Sequence, residues 1–437
     1  MERKIEIVSM ELIRPLSPTP NHLRCFEFSY LDQMAPPTSV PLALFYPPPP
    51  LYVGDEARAA NLSRLLVLKK SLSETLARFY PFAGRIKKNS IECNDDGVPF
   101  YEAFAHNYQL EDVLRQPDVD IHFLPTVKDN SLLSYSTVPL LVQVTIFECG
   151  SMAISTRVSH KIVDRASSCT LIDAWAITTR VGTKCAVPEF VAAAKFLPPP
   201  NPQVLPTLLE SQKVSCDNNQ HISKIFFFDA STIASLKAKA ISNVVPVPTR
   251  VEVVSAVIWK CVMAATSSGP IGRRSSYLIQ NVNMRKRFVP PMPKHCVGNV
   301  VAVSVACKGE NDCCDLPTLV SCIRKGLLEF IPKYKDKQER DEAIFAIPYD
   351  SMELTRAFRR REVDIYLNSW CGYQFYDIDF GWGKPSWVSP IERHKNVIFL
   401  MDSKDGGGID AWVRLKDTET EVFEHELKLL AFEFDKN

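Results

Sequence analysis

His160 and Asp164 stand four residues apart in the run Val158–Cys169, V-S-H-K-I-V-D-R-A-S-S-C, and are the side chains of this chain best suited to chemistry. A neutral imidazole, with an ordinary pKa of about 6.5, is matched to taking a proton near pH 7. An alcohol held against it would become a nucleophile. The aspartate has two open uses, orienting the ring or tying the turn down through a buried charge pair, and spacing alone does not choose between them. An isolated H-x-x-x-D also arises in structural and solvated settings. His and Asp at i and i+4 can share a helix face as metal ligands do, but no third ligand stands nearby and no metal is expected.

The flanking patterns must bring this histidine to an edge. Leu140–Phe147 and Met152–Val158 are apolar runs joined through Cys149-Gly150 and read as a hairpin, and Ala166–Thr179 reads as the helix behind it. His160 therefore leaves the end of a strand, where an imidazole faces a cleft rather than a core.

A second stretch, Asp379-Phe380-Gly381-Trp382-Gly383-Lys384-Pro385, lies far downstream. Its Gly381-x-Gly383-Lys384 is no phosphate cradle, since Pro385 follows at once and Walker spacing is absent. Together H-x-x-x-D and D-F-G-W-G resemble the paired signatures of the BAHD family of plant acyl-CoA-dependent acyltransferases. The resemblance runs from end to end, through Ser17-Pro18-Thr19-Pro20, Leu31-Asp32-Gln33, Phe79-Tyr80-Pro81-Phe82-Ala83-Gly84-Arg85 and Cys93-Asn94-Asp95-Asp96-Gly97. It continues in Arg250-Val251-Glu252-Val253-Val254, Asn283-Met284-Arg285, Gly298-Asn299 and Asn368-Ser369-Trp370-Cys371, and is similar to the alkaloid-acylating branch.

That resemblance implies an α/β protein with mixed sheets, built as two chloramphenicol-acetyltransferase-like domains with an active-site channel between them. Residues 1–195 would form the domain with H-x-x-x-D, 196–223 a linker, and 224–437 the domain with D-F-G-W-G. It implies that His160 is the general base, that Asp164 shapes the site through an ion pair with Arg285, and that Asp379, Phe380, Gly381, Trp382 and Gly383 are structural. Trp370 would donate its indole N–H to the tetrahedral intermediate; the plain alternative is a core tryptophan. Asn299 is assigned to coenzyme A. Acyl-CoA would be a co-substrate, with no permanently bound cofactor.

Composition sets the outer limits. Lys and Arg number 51 against 50 Asp and Glu over 437 residues, a net charge of +1, so no global field favours nucleic acid or an anionic membrane. The clusters Arg285-Lys286-Arg287 and Arg359-Arg360-Arg361 are short and lack interleaved aromatics; they read as solvated faces, with coenzyme A phosphates as the alternative partner. The 13 cysteines contain no C-x-x-C pair, which argues against a zinc cage or disulfide scaffold and for reduced thiols. No apolar run approaches about 18 residues and Met1–Leu12 has no signal-peptide core. The expectation is a cytoplasmic monomer that binds neither membrane nor nucleic acid.

Along the chain, residues 1–60 read as one short strand followed by proline-rich loop ending in Pro47–Pro50. Leu62, Leu65, Leu66, Leu72, Leu76, Phe79 and Tyr80 recur at helical spacing. Ile86–Asn94 and Pro99–Ala105 read as strands of a hairpin turning at Asp95-Asp96-Gly97. Leu197-Pro198-Pro199-Pro200-Asn201-Pro202 opens the linker. Beyond it come a strand at Lys224–Asp229, helices at Ser231–Ile241 and Thr249–Ala264, strands at Tyr277–Met284, Val397–Met401 and Ile409–Leu415, and a helix from Thr420.

The expected reaction is direct transfer of acetyl from acetyl-CoA to a hydroxyl of a specialised metabolite, an alkaloid alcohol, in a ternary complex. No G-x-S-x-G elbow suggests a covalent acyl-enzyme. The same reaction with malonyl or another acyl group, or with an acylsugar, terpenoid or phenolic acceptor, is the alternative, and a non-catalytic partner protein is the alternative of another class. Arg165, Gly372 and Asn368 depart from common family residues; Arg165 would either clash with the turn or offer its charge to a carboxylated acyl group.

Overall fold

The computed structural model describes residues 3–49, 55–115, 122–125, 137–182, 187–198, 221–266, 275–334, 364–391 and 397–435. Most of the expected linker, 199–220, and the Arg359–Arg361 cluster lie outside the described residues. The chain divides into two compact units. The first is Met1–Leu205 with Met292–Val300 and Tyr373–Glu392; the second is Pro206–Pro291, Val301–Gly372 and Arg393–Asn437.

A continuous apolar run fixes the centre of the first unit. Leu140–Phe147, L-L-V-Q-V-T-I-F, is buried at every position, as a strand covered on both faces must be. Around it stands a six-stranded sheet in the spatial order Lys4–Ile13, Val98–His106, Leu140–Phe147, Met152–Ser159, Ser39–Tyr46, Trp387–Ser389. Val98–His106 runs parallel to Leu140–Phe147, and the other neighbours are antiparallel. The helix Arg165–Val181 packs against the helix Asp55–Leu76, where the Trp175 indole donates to the Leu68 carbonyl at 3.2 Å and to Ser71 Oγ at 3.1 Å.

Two local readings change here. Residues 1–60 hold three strands and a short helix, Tyr30–Met34, rather than one strand and a loop. Proline obscured the strand Ser39–Tyr46: Pro41 lies beside Arg157 on one side, but the edge strand Trp387–Ser389 pairs only with Ala43–Phe45 and does not reach it. The Asp95-Asp96-Gly97 turn does not close a hairpin. It joins Ser90–Glu92, in a small sheet with Cys25–Glu27 and Arg85–Ile86, to Val98–His106 of the large sheet. Asp95 takes a left-handed conformation there, φ 60°, and its carboxylate accepts from Thr19 N and Oγ1 at 3.0 and 2.6 Å.

The second unit carries a six-stranded sheet in the order Val301–Lys308, Ser276–Asn283, Ile365–Ser369, Val397–Asp402, Ile409–Lys416, His221–Phe228. One face buries Leu278, Ile365, Leu367, Leu400, Ala411 and Val413 in the same core as Leu236, Val257, Ile323 and Phe423 of the helices Ala230–Lys239, Arg250–Thr266, Leu316–Phe330 and Asp417–Asp435. Alternation along the strands sends Asn281, Tyr366, Asn368, Phe399 and Trp412 to the other face.

Candidate active site

Strand pairing places His160. Ser159 is the last residue of Met152–Ser159, paired with Ser39, and the chain then turns into the helix Arg165–Val181. The His160 N–H donates to the Thr38 carbonyl at 2.9 Å. The residue is partly buried; its Nδ1 is enclosed and meets no hydrogen-bond partner. Burial holds the imidazole pKa below its ordinary 6.5. Its own carbonyl, the Asp164 carboxylate and the Asn299 amide draw the pKa the other way, and the Arg165 charge adds to the lowering. The ring is thus neutral at pH 7, the state a general base requires.

Asp164 is the N-cap of the following helix, with Oδ1 accepting the Ser167 N–H at 2.9 Å. Its Oδ2 accepts the Val300 N–H at 3.0 Å, and the residue is 2% exposed. The carboxylate therefore ties the turn after His160 to a segment far along the chain. Gly298-Asn299-Val300 forms a strap whose successive N–H groups donate to Ser167 Oγ at 3.1 Å, Asp32 Oδ1 at 2.6 Å and Asp164 Oδ2 at 3.0 Å. Ser167 Oγ returns a bond to the Gly298 carbonyl at 2.9 Å. Gly298 has φ +134°, and a Cβ there would sit 2.8 Å from Ala193 Cβ, so the close approach requires glycine.

Asn299 is 5% exposed, and its Nδ2 donates to Asp32 Oδ1 at 2.8 Å and to the His160 carbonyl at 2.7 Å. Asp32 is fully buried, and its Oδ2 accepts from Ser29 N at 3.0 Å and Ser29 Oγ at 2.6 Å. Burial pushes the Asp32 carboxyl up to about 6, against the opposing effect of the Ser29 and Asn299 donors. Burial also pushes the Lys161 ammonium down to about 8, with the Asp32 charge opposing; its Nζ donates to the Gln33 carbonyl at 2.8 Å. Asp32 stands in the motif Leu31-Asp32-Gln33, but the sequence assigns no role to it, nor to Ser29, Ser167 or Thr38. The signal available was Ser29-x-x-Asp32, which reads as a capping box and is one in the structure.

The D-F-G-W-G stretch, expected in the C-terminal domain, packs in the same unit as His160. Asp379 Oδ1 accepts the N–H groups of Gly381 at 2.7 Å and Gly383 at 3.0 Å, and both glycines have positive φ, 108° and 102°. Phe380 stacks on Trp382 at 5.7 Å and meets Trp175 and Tyr46 edge-on at 5.0 and 6.0 Å. The Tyr46 hydroxyl donates to the Ile378 carbonyl at 2.9 Å. Asp379 closes a turn that seats the Phe380 ring on Trp175 of the helix Arg165–Val181, which Asp164 caps.

Trp370 and Arg285 belong to the second unit. Trp370 is 6% exposed; its N–H donates to the Leu400 carbonyl at 2.6 Å and its ring meets Phe399 edge-on at 4.9 Å. The Arg285 N–H and Nη1 donate to Asn283 Oδ1 at 3.1 and 3.3 Å. Arg165 does not clash with the turn: it opens the helix, donates from Nη2 to the Pro41 carbonyl at 3.0 Å and lies over the Phe375 ring at 5.8 Å. Asn368 accepts from Asn281, and Gly372, at φ +90°, donates its N–H to Asp402 Oδ2 at 2.6 Å. Among the described residues no helix is long and apolar enough to cross a membrane.

Known proteins are similar to this chain over nearly their full length. The profile of the Transferase family matches residues 3–430. Vinorine synthase from Rauvolfia serpentina is 34% identical over 445 residues, covering all of both chains. Its crystal structure superposes with a TM-score of 0.79 over 96% of each chain. Stemmadenine O-acetyltransferase from Catharanthus roseus is 32% identical over 447 residues, 99% of this chain and all of the relative. A limonoid 7-O-acetyltransferase from Citrus sinensis is 33% identical over 450 residues, 98% and 97% of the two chains. With a matching family profile, a shared fold and relatives that are acetyltransferases from end to end, the chain belongs to the Transferase family, the BAHD acyltransferases, and is an acyltransferase enzyme.

Proposed function

We propose that this acyltransferase moves an acetyl group from acetyl-CoA to a hydroxyl of a specialised metabolite, an alkaloid alcohol, with His160 as general base. The observation that carries this reading is the imidazole itself. It is held at the end of a strand, is neutral at pH 7, and has Nδ1 enclosed, which leaves Nε2 as the base. In the ternary complex Nε2 takes the hydroxyl proton as the oxygen attacks the thioester carbonyl. The tetrahedral intermediate collapses, the C–S bond breaks, and the departing thiolate takes the proton back from the imidazolium. Trp370 is the donor to the oxyanion, and Asp164 holds the turn through the Ser167 and Val300 N–H groups.

The acetyl donor is supported by the O-acetyltransferase relatives. The limonoid-acetylating relative favours a second reading of the acceptor, a terpenoid alcohol. The experiment is coenzyme A release by the purified protein offered acetyl-CoA or malonyl-CoA with alkaloid, terpenoid and sugar alcohols. Release that needs both acetyl-CoA and an alkaloid alcohol is expected. Release with malonyl-CoA alone, or with every alcohol except the alkaloids, would overturn the donor or the acceptor assignment.

A further inference from the structure

The His160 main chain is fixed at both of its polar atoms, and the second fixing point is unusual. Thr38 takes the N–H, whereas the carbonyl is held by a side chain, the Asn299 carboxamide at 2.7 Å. That carboxamide has little freedom of its own. Asp32 Oδ1 accepts both its Nδ2 at 2.8 Å and the Asn299 backbone N–H at 2.6 Å. Ser29 in turn fixes the opposite carboxylate oxygen through two bonds.

Four donors, all from neutral groups, converge on one fully buried carboxylate. Lys161, whose ammonium feels the Asp32 charge, donates instead to the Gln33 carbonyl. Burying a charge without an ion pair is unfavourable, and an apolar residue with good packing would serve the fold as well. A carboxylate is needed if the purpose is to aim two N–H groups of one residue at fixed points.

We propose that Asp32 and Asn299 are positioning residues of the acyl transfer: the Asp32 carboxylate orients the Asn299 carboxamide, and the carboxamide holds the His160 carbonyl and so the reach of the imidazole. The proposal rests on the reading of His160 as the base. It gives Asn299 a task other than contact with coenzyme A. The same strap is fixed one residue later by Asp164, so two buried carboxylates, one at Asn299 and one at Val300, hold the segment on which the His160 carbonyl depends. Reactions held in a near-attack geometry lose about a hundredfold when the reacting groups shift by about 1 Å.

The test uses the full-length protein and four variants, Asn299→Ala, Asp32→Ala, Asp32→Asn and the Asp32→Ala/Asn299→Ala double variant. The first readout is carbethoxylation of His160 by diethyl pyrocarbonate between pH 5 and 8, followed by peptide mass spectrometry with the other histidines as internal standards. It needs no acceptor and no turnover. Asn299→Ala and Asp32→Ala should speed modification of His160 alone, the other histidines reacting at their parental rates. The second readout is steady-state kinetics: both variants should lower kcat about tenfold to a hundredfold with KM for acetyl-CoA unchanged. Asp32→Asn keeps an acceptor for Asn299 and should restore most of the rate, and the Asp32→Ala/Asn299→Ala double variant should be no slower than either single one. Parental His160 reactivity and kcat in folded Asn299→Ala would overturn the proposal. A raised KM for acetyl-CoA at parental kcat would overturn it in favour of a coenzyme A contact. If Asn299→Ala does not fold, Asn299→Ser takes its place under the same criteria. Should His160→Ala retain turnover, the catalytic reading fails, while the carbethoxylation readout still decides whether Asp32 and Asn299 hold His160.

Discussion

Asp164 makes two hydrogen bonds whose separate removal distinguishes a structural aspartate from a reacting one. Asp164→Ala removes an N-cap, a loss of about 1 kcal/mol. It also leaves the Val300 N–H without its acceptor in a buried setting, at about 1–3 kcal/mol. The two effects together lower stability by about 2–4 kcal/mol, a large share of the 5–15 kcal/mol typical of a folded domain. Asp164→Asn is the sharper perturbation. Asparagine caps helices as well as aspartate does, so the bond from Ser167 survives, but its NH2 then faces the Val300 N–H, donor against donor. The expected loss for this variant is about 1–3 kcal/mol. Urea unfolding followed by tryptophan fluorescence measures both variants, and coenzyme A release is compared at a temperature where each is folded. A structural Asp164 requires that Asp164→Asn lose stability along with rate. An Asp164→Asn protein with the parental unfolding midpoint and a turnover reduced by about a hundredfold or more would refute this reasoning and place the carboxylate at the reacting atoms.

Acyl transfer needs neutral His160, whose pKa in the free enzyme is held below 6.5, so kcat/KM should fall only as pH drops below that value; an acid limb of kcat/KM centred at or above 6.5 would contradict the assignment. The Asp32 carboxyl titrates near 6 in the fold against 3.8 ordinarily, so the fold binds this proton more tightly than the unfolded chain does. Its contribution is complete below pH 3.8 and is lost as pH rises through about 6, a change of about 3 kcal/mol between the limits. The stability of the parent relative to Asp32→Asn should therefore decline between pH 4.5 and 7.5, by roughly 2–3 kcal/mol in paired urea titrations, and an unchanged gap would contradict it. Asp379→Ala leaves the Gly381 and Gly383 N–H groups without their acceptor and should lower the unfolding midpoint, by about 1–2 kcal/mol in stability, with KM for acetyl-CoA unchanged; a parental midpoint with lost turnover would assign Asp379 to chemistry.

Much of the first unit's frame was readable in the residues because its signals are local. Leu140–Phe147 and Met152–Ser159 pair as the hairpin that their apolar runs and the Cys149-Gly150 turn announce, and the helix behind them needs one cap and one glycine to define it. The strand Ser39–Tyr46 escaped because Pro41 argues against a ladder, and what excuses it, a short edge strand from residues 387–389, lies more than 300 residues away. Asp95-Asp96-Gly97 was readable as a turn but not as a passage between sheets, since pairing partners are set by tertiary contacts. The candidate site divides in the same way. His160 and Asp164 declare themselves by type and spacing. Asp32 does not: its local neighbour Ser29 makes it a helix cap, and its second task depends on Asn299, 267 residues on.

In the proposed reaction the His160 imidazole takes the acceptor proton. The direct measurement is single-turnover coenzyme A release by His160→Ala and by the parent, at a concentration of acetyl-CoA shown to saturate both by equilibrium dialysis. His160→Ala should bind acetyl-CoA as the parent does and release coenzyme A about a hundredfold to ten-thousandfold more slowly, the range that general-base catalysis supplies. Equal rates at equal occupancy would contradict it.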